Sequence, residues 1–92
     1  MKENAYYEEF PKTLGEATVT KVWLNSEGNE IVYVYFKNNI WSFGFEYFSN
    51  HEYEMCWCSA NEGARMYDSE ETAIKELFAN HPWSKEIEPK IL

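Results

Sequence analysis

Glu30-Ile31-Val32-Tyr33-Val34-Tyr35-Phe36-Lys37-Asn38-Asn39-Ile40-Trp41-Ser42-Phe43-Gly44-Phe45-Glu46-Tyr47-Phe48 reads as two β-strands joined by a tight turn. Both runs are rich in β-branched and aromatic residues, which suit a pleated, half-buried surface. Asn tolerates the left-handed region, so Asn38-Asn39 can close a two-residue hairpin. That loop length fixes the pairing. Phe36 faces Trp41, Val34 faces Phe43 and Val32 faces Phe45, and all six side chains share one face because strand alternation has period two. On the other face Tyr35 meets Ser42, Tyr33 meets Gly44 and Ile31 meets Glu46. A tyrosine laid over a strand glycine is a recognised pairing device.

Outward from this hairpin, Ala17–Leu24 is a strand on the amino-terminal side, with the turn residues Asn25-Ser26-Glu27-Gly28-Asn29 between. A five-residue loop there puts Thr18, Thr20, Val22 and Leu24 on the first face and Val19, Lys21 and Trp23 on the other. The opposite choice would place Lys21 among core side chains, a costly burial. On the carboxyl-terminal side a fourth strand is expected near Tyr53–Ala60. Setting Cys56 and Cys58 against Phe45 and Phe43 alternates small with large residues and keeps Glu54 away from Glu46.

A helix follows over 68–81. Asp68 and Glu71 have capping-box spacing, and Glu70 and Glu71 complement the helix dipole. Ala73, Ile74, Leu77 and Phe78 recur at helical spacing, and His81-Pro82 stops the run. The predicted fold is α+β, a four-stranded antiparallel β-meander (β-β-β-β-α) with one C-terminal helix packed on one face. The chain reads as a single domain: an N-terminal arm (1–16), the sheet (17–60), the helix (68–81) and a C-terminal tail (82–92). Its 92 residues leave no room for a second self-sufficient core.

One helix covers one sheet face. The other carries Trp23, Ile31, Tyr33, Tyr35, Met55 and Trp57, with Glu46 among them, an apolar surface of interface composition. Three covers are open for it: the chain's own ends, a second copy of the chain, or a foreign partner.

Charge limits the partner. Sixteen acidic residues against eight basic ones give a net charge of −8, the wrong sign for neutralising phosphates, so no nucleic-acid partner is expected. No run reaches the roughly 18 apolar residues of a membrane span, and no apolar core of a signal peptide follows Met1, so the expected setting is cytoplasmic and away from membranes. Complementary charge speeds encounter with a basic protein and sorts partners. Small acidic single-domain inhibitors, bacterial immunity proteins among them, use that physics.

Motifs for chemistry are thin. Cys56-x-Cys58 with His51 and His81 lacks the usual zinc-knuckle spacing, and two strand cysteines serve well as small apolar fillers. A Cys–His nucleophilic pair would lack an orienting third group. Glu46, Glu52 and Glu54 are three acids among fifteen glutamates. Gly28, Gly44 and Gly63 are isolated, so there is no phosphate loop. Arg65 stands alone as a bidentate donor. The reading is therefore a non-enzymatic protein-binding module without catalytic residue, cofactor or metal, an inhibitor or immunity-type protein for a basic partner. Its contact residues are Trp23, Ile31, Tyr33, Tyr35, Glu46, Met55 and Trp57. The alternatives are a homodimer through the second face or an edge strand, and a small-ligand or enzymatic domain with a pocket between helix and sheet.

Overall fold

The computed structural model describes residues 10–50, 55–59 and 66–92, with no side chains described for 49–50 and 55–59. The elements are β1 (Thr13–Leu14), β2 (Ala17–Leu24), β3 (Glu30–Lys37), β4 (Ile40–Asn50), β5 (Met55–Ser59), α1 (Glu70–Asn80), a 3-10 helix (Pro82–Glu86) and β6 (Lys90–Ile91). The sheet runs in the order β1-β2-β3-β4-β5, and β6 also pairs with β2. This is an α+β antiparallel meander followed by one helix packed on β3 and β4.

The central hairpin forms as its sequence dictates. Asn38 and Asn39 have φ of 53° and 63°, the two left-handed residues that a primed turn requires. Phe36↔Trp41, Val34↔Phe43 and Val32↔Phe45 pair on one side, and Tyr35↔Ser42, Tyr33↔Gly44 and Ile31↔Glu46 on the other. Val32, Val34 and Phe43 join Trp23, Ala73 and Leu77 in the core beneath the helix, with Trp41 and Phe45 packed against it.

The β2 register departs from the sequence reading. A bulge at Thr20 separates two registers. Thr18↔Phe36 and Val19↔Tyr35 lie before it, while Lys21↔Val34, Val22↔Tyr33, Trp23↔Val32 and Leu24↔Ile31 follow it. Thr18 and Val19 take the faces expected of them, but beyond the bulge the alternation is inverted. Trp23 and Lys21 face the helix, and Val22 and Leu24 face away. Two local facts outweigh the burial argument used for Lys21. The turn is tighter than five residues, because Asn25 N–H donates to the Glu30 carbonyl at 3.0 Å and the Asn25 Oδ1 accepts from the amides of Asn29 and Glu30. Lys21 also avoids burial as a bare charge by meeting Glu70 at the start of α1, with Nζ 2.9 Å from Oε2.

The described part of the fourth expected strand is Met55–Ser59, and β4 is longer than expected, reaching Asn50. Cys58 therefore pairs with Tyr47 and Cys56 with Ser49, rather than with Phe43 and Phe45. Ser49 and Asn50 are strand, and that extension moves β5 towards the far end of β4. It also sets Ser59, not Glu54, against Glu46, so the like-charge clash is avoided in this register too.

The helix starts later than the capping-box spacing suggests. Ser69 is the N-cap, in extended conformation, and its Oγ accepts from the Thr72 amide at 3.1 Å. Asp68 lies one residue outside. The carboxyl-terminal stop falls at His81-Pro82, where the His81 amide closes the last turn on the Leu77 carbonyl at 2.8 Å. The arms also hold short structure that alternation alone did not reveal. β1 and β6 lie along the same edge of β2, paired through Thr13↔Thr18 and Leu14↔Ala17 and through Lys21↔Ile91 and Val22↔Lys90.

Candidate functional site

Among the described residues, the chain's own two ends pack onto the second sheet face. Val19, Val22, Ile31 and Tyr33 form a second buried cluster with Phe10, and Leu14, Leu24, Tyr35 and Leu92 pack around it. The Phe10 ring lies 5.1 Å from that of Tyr33. The β1 strand brings Leu14 in, and the Leu92 amide donates to the Thr20 carbonyl at 3.1 Å, which lands Leu92 on the same cluster.

The expected contact residues fall out accordingly. Ile31, Tyr33 and Glu46 are buried on this face, Tyr35 is half-buried beside Tyr33, and Trp23 is 2% exposed on the helix side with its ring edge against Phe78. Met55 and Trp57 pair by backbone with Asn50 and Phe48, and their side chains lie outside the described residues. The structure thus brings Ile31, Tyr33, Tyr35 and Glu46 together, but as the inside of a layer. A homodimer through this face would first require Phe10, Leu14 and Leu92 to leave it. Burial, and to a lesser degree the nearby Glu46 and Tyr35, holds the Tyr33 phenol well above its ordinary pKa, as befits an enclosed ring.

A larger concave surface lies on the helix side, and the 3-10 helix shapes it. That helix has about three residues per turn, so every third side chain shares a face. Ser84 and Ile87 turn inward; Ser84 is fully buried, with its Oγ donating to the His81 carbonyl at 2.7 Å. Trp83 and Glu86 share the face towards the β2–β3 turn. There they line an open cleft of about 560 Å³ with Glu27, Glu30 and Ile87. The turn side of the cleft is pre-set. Asn25 spends its side chain on Asn29 and Glu30, with Nδ2 2.7 Å from the Asn29 Oδ1, and Gly28 takes φ 75°. Glu27 and Glu86 are exposed, and Glu30, Trp83 and Ile87 are half-buried.

This constellation has a definite chemistry. Three carboxylates and an indole wall surround one concavity, and among the described residues no lysine or arginine lines it. A guanidinium or ammonium there gains attraction to the aromatic face and charge-assisted hydrogen bonds to the carboxylates. Among the described residues, no group of three His, Cys, Asp or Glu is arranged to hold a metal ion, and no helix is long and apolar enough to cross a membrane.

Sequence reasoning missed this cleft because its two walls are about fifty residues apart along the chain. Its signal was present, though only in part. Asn25-Ser26-Glu27-Gly28-Asn29 is visible as turn chemistry, but the Pro82–Glu86 run falls within the expected C-terminal tail. Compared with known proteins, the chain matches no family model, no curated protein and no solved structure. The function therefore rests on the chemistry of the chain's own residues.

Proposed function

We propose that this protein is a small acidic, non-enzymatic binding module that engages a basic protein partner, as an inhibitor or immunity-type protein does. The cleft between the β2–β3 turn and the 3-10 helix is its contact site. The observation that carries this reading is the convergence of Glu27, Glu30 and Glu86 on the half-buried Trp83. The net charge of −8 acts in the same direction at longer range. It draws a basic surface in, and the cleft receives one of its arginine or lysine side chains. Arginine suits it better, because its planar fork stacks on indole and bridges carboxylates.

The test is direct. A short arginine-containing peptide is titrated into the full chain at low and high salt, alongside the Glu27→Gln, Glu86→Gln double variant. Both glutamates are exposed, so the variant keeps its fold. The expected result is binding that weakens as salt rises and weakens further in the variant. Binding that ignores both salt and the two glutamates refutes the assignment.

A further inference from the structure

We infer that a second groove, on the outer side of α1, binds an amphiphilic carboxylate: an apolar body carrying one carboxylate, as in a medium-chain fatty acid. The proposal stands apart from the acidic cleft, which lies across the 3-10 helix from this groove.

The helix carries more apolar surface than the sheet can cover. Ala73 and Leu77 are fully buried against the sheet. Ile74 and Phe78, one position further round, are only half-buried. With Ala79 they line an open groove of about 470 Å³. That volume falls in the range of small-molecule sites, about 300–1,000 Å³. The stripe Glu71, Ile74, Lys75, Phe78 and Ala79 has the i, i+3, i+4, i+7, i+8 spacing of one helical face.

The charge at this groove is opposite in sign to that of the whole protein. Lys75 from the helix and Lys85 from the 3-10 helix line it, and Glu71, one turn before Lys75, is its one carboxylate among the described residues. The spacing of the 3-10 helix that sends Trp83 and Glu86 to the acidic cleft sends Lys85 the other way. Lysine stems lie along apolar surface and keep their ammonium groups at the rim. An apolar floor lined by two lysines against one glutamate carries a net positive charge and complements a molecule with an apolar tail and an anionic head. A cation is drawn elsewhere on this surface, and a neutral tail gains no advantage from the lysines.

The experiment is calorimetric titration of the full chain with decanoate, kept below micelle formation, with decanol and decylamine as neutral and cationic counterparts. Saturable one-to-one binding of decanoate is expected, with decylamine failing to bind. The Lys75→Glu, Lys85→Glu double variant should weaken decanoate binding by about tenfold or more. Both lysines are exposed, so the variant folds, and its thermal melt checks this. The Glu27→Gln, Glu86→Gln variant should leave decanoate binding unchanged, which separates this groove from the acidic cleft. Equal binding of decanol and decanoate, an unaffected lysine variant, or the absence of saturation would each overturn the proposal. Binding of an acidic apolar peptide in preference to decanoate would overturn it too, by assigning the groove to a protein segment.

Discussion

Replacing Gly44 with alanine sets two ordinary rules against each other. Glycine inside a strand costs about 0.5–1 kcal/mol relative to alanine through its extra freedom in the unfolded chain, so propensity alone predicts a gain. The structure predicts a loss. A Cβ built on Gly44 would stand 2.5 Å from the Tyr33 Oη and 2.7 Å from its Cε2, and nearer still to Cζ. Carbon atoms rest about 3.5–4.0 Å apart, so the overlap exceeds about 1 Å at the nearest atom. The ring packs between Phe10, 5.1 Å away, and Tyr35, 6.0 Å away between ring centres, so any retreat disturbs these contacts. Overpacking of this kind costs about 1–3 kcal/mol, which exceeds the propensity gain. A net loss of about 1–2 kcal/mol follows, or roughly 5–15 °C in Tm for a domain of this size. Urea unfolding reads it as a lower midpoint with an unchanged slope. The decisive control is the same substitution in a Tyr33→Val background, where the methyl group has space and Gly44→Ala should become neutral or stabilising. A stabilising Gly44→Ala in the otherwise unaltered protein would refute the claim that Tyr33 lies over this glycine.

Three further outcomes follow from the same structure. Ser69→Ala should cost about 1 kcal/mol in urea unfolding through loss of the cap to the Thr72 amide, while Asp68→Ala should change the midpoint by less than about 0.5 kcal/mol; the reverse ranking would restore Asp68 as the cap. Glu70 should make stability pH-dependent. Partial burial opposes its charge, but hydrogen bonds from Thr20 at 2.6 Å and Lys21 at 2.9 Å, with the Lys21 charge, outweigh that and lower its pKa. Its contribution is therefore complete above the ordinary value of 4.5 and lost as pH falls below it, so the difference between the native chain and Glu70→Gln, about 0.5–1 kcal/mol near pH 7, should vanish in acid. The Tyr33 pKa is raised, so its neutral form adds stability that is intact below about pH 10 and declines above it. Absorbance titration should find one tyrosine that ionises only as the protein unfolds, and Tyr33→Phe should remove that late step.

The hairpin from Glu30 to Phe48 was legible because a two-residue Asn-Asn turn leaves one register, and every pair across it follows from counting. The helix was legible for a similar reason, since Ala73, Ile74, Leu77 and Phe78 fit a single period. Counting failed at Thr20, where a bulge adds one residue and sends Trp23 to the helix side. Nothing in Ala-Thr-Val-Thr-Lys-Val-Trp-Leu marks that residue as extra. The Lys21–Glu70 contact that makes the shift tolerable joins positions far apart in the chain. The alternation across the hairpin points to a second apolar face, and the chain's ends are among its expected covers. That both ends would dock along β2, through strands of two residues each, is beyond the reach of periodicity. The cleft was hidden for the same reason. Three glutamates in a chain with fifteen carry no local signal until the fold brings them to Trp83.

The most direct test of the account is where a basic ligand lands. Amide and indole shifts of the isotope-labelled protein can be followed while an arginine-containing peptide is added. The Trp83 indole and the amides of Ser26, Glu27, Glu30 and Glu86 should move together and saturate at one concentration. Shifts confined to Tyr33, Tyr35 and the β1 and β6 strands would contradict the account, because they would mean that the partner opens the sheet face the chain's own ends now cover.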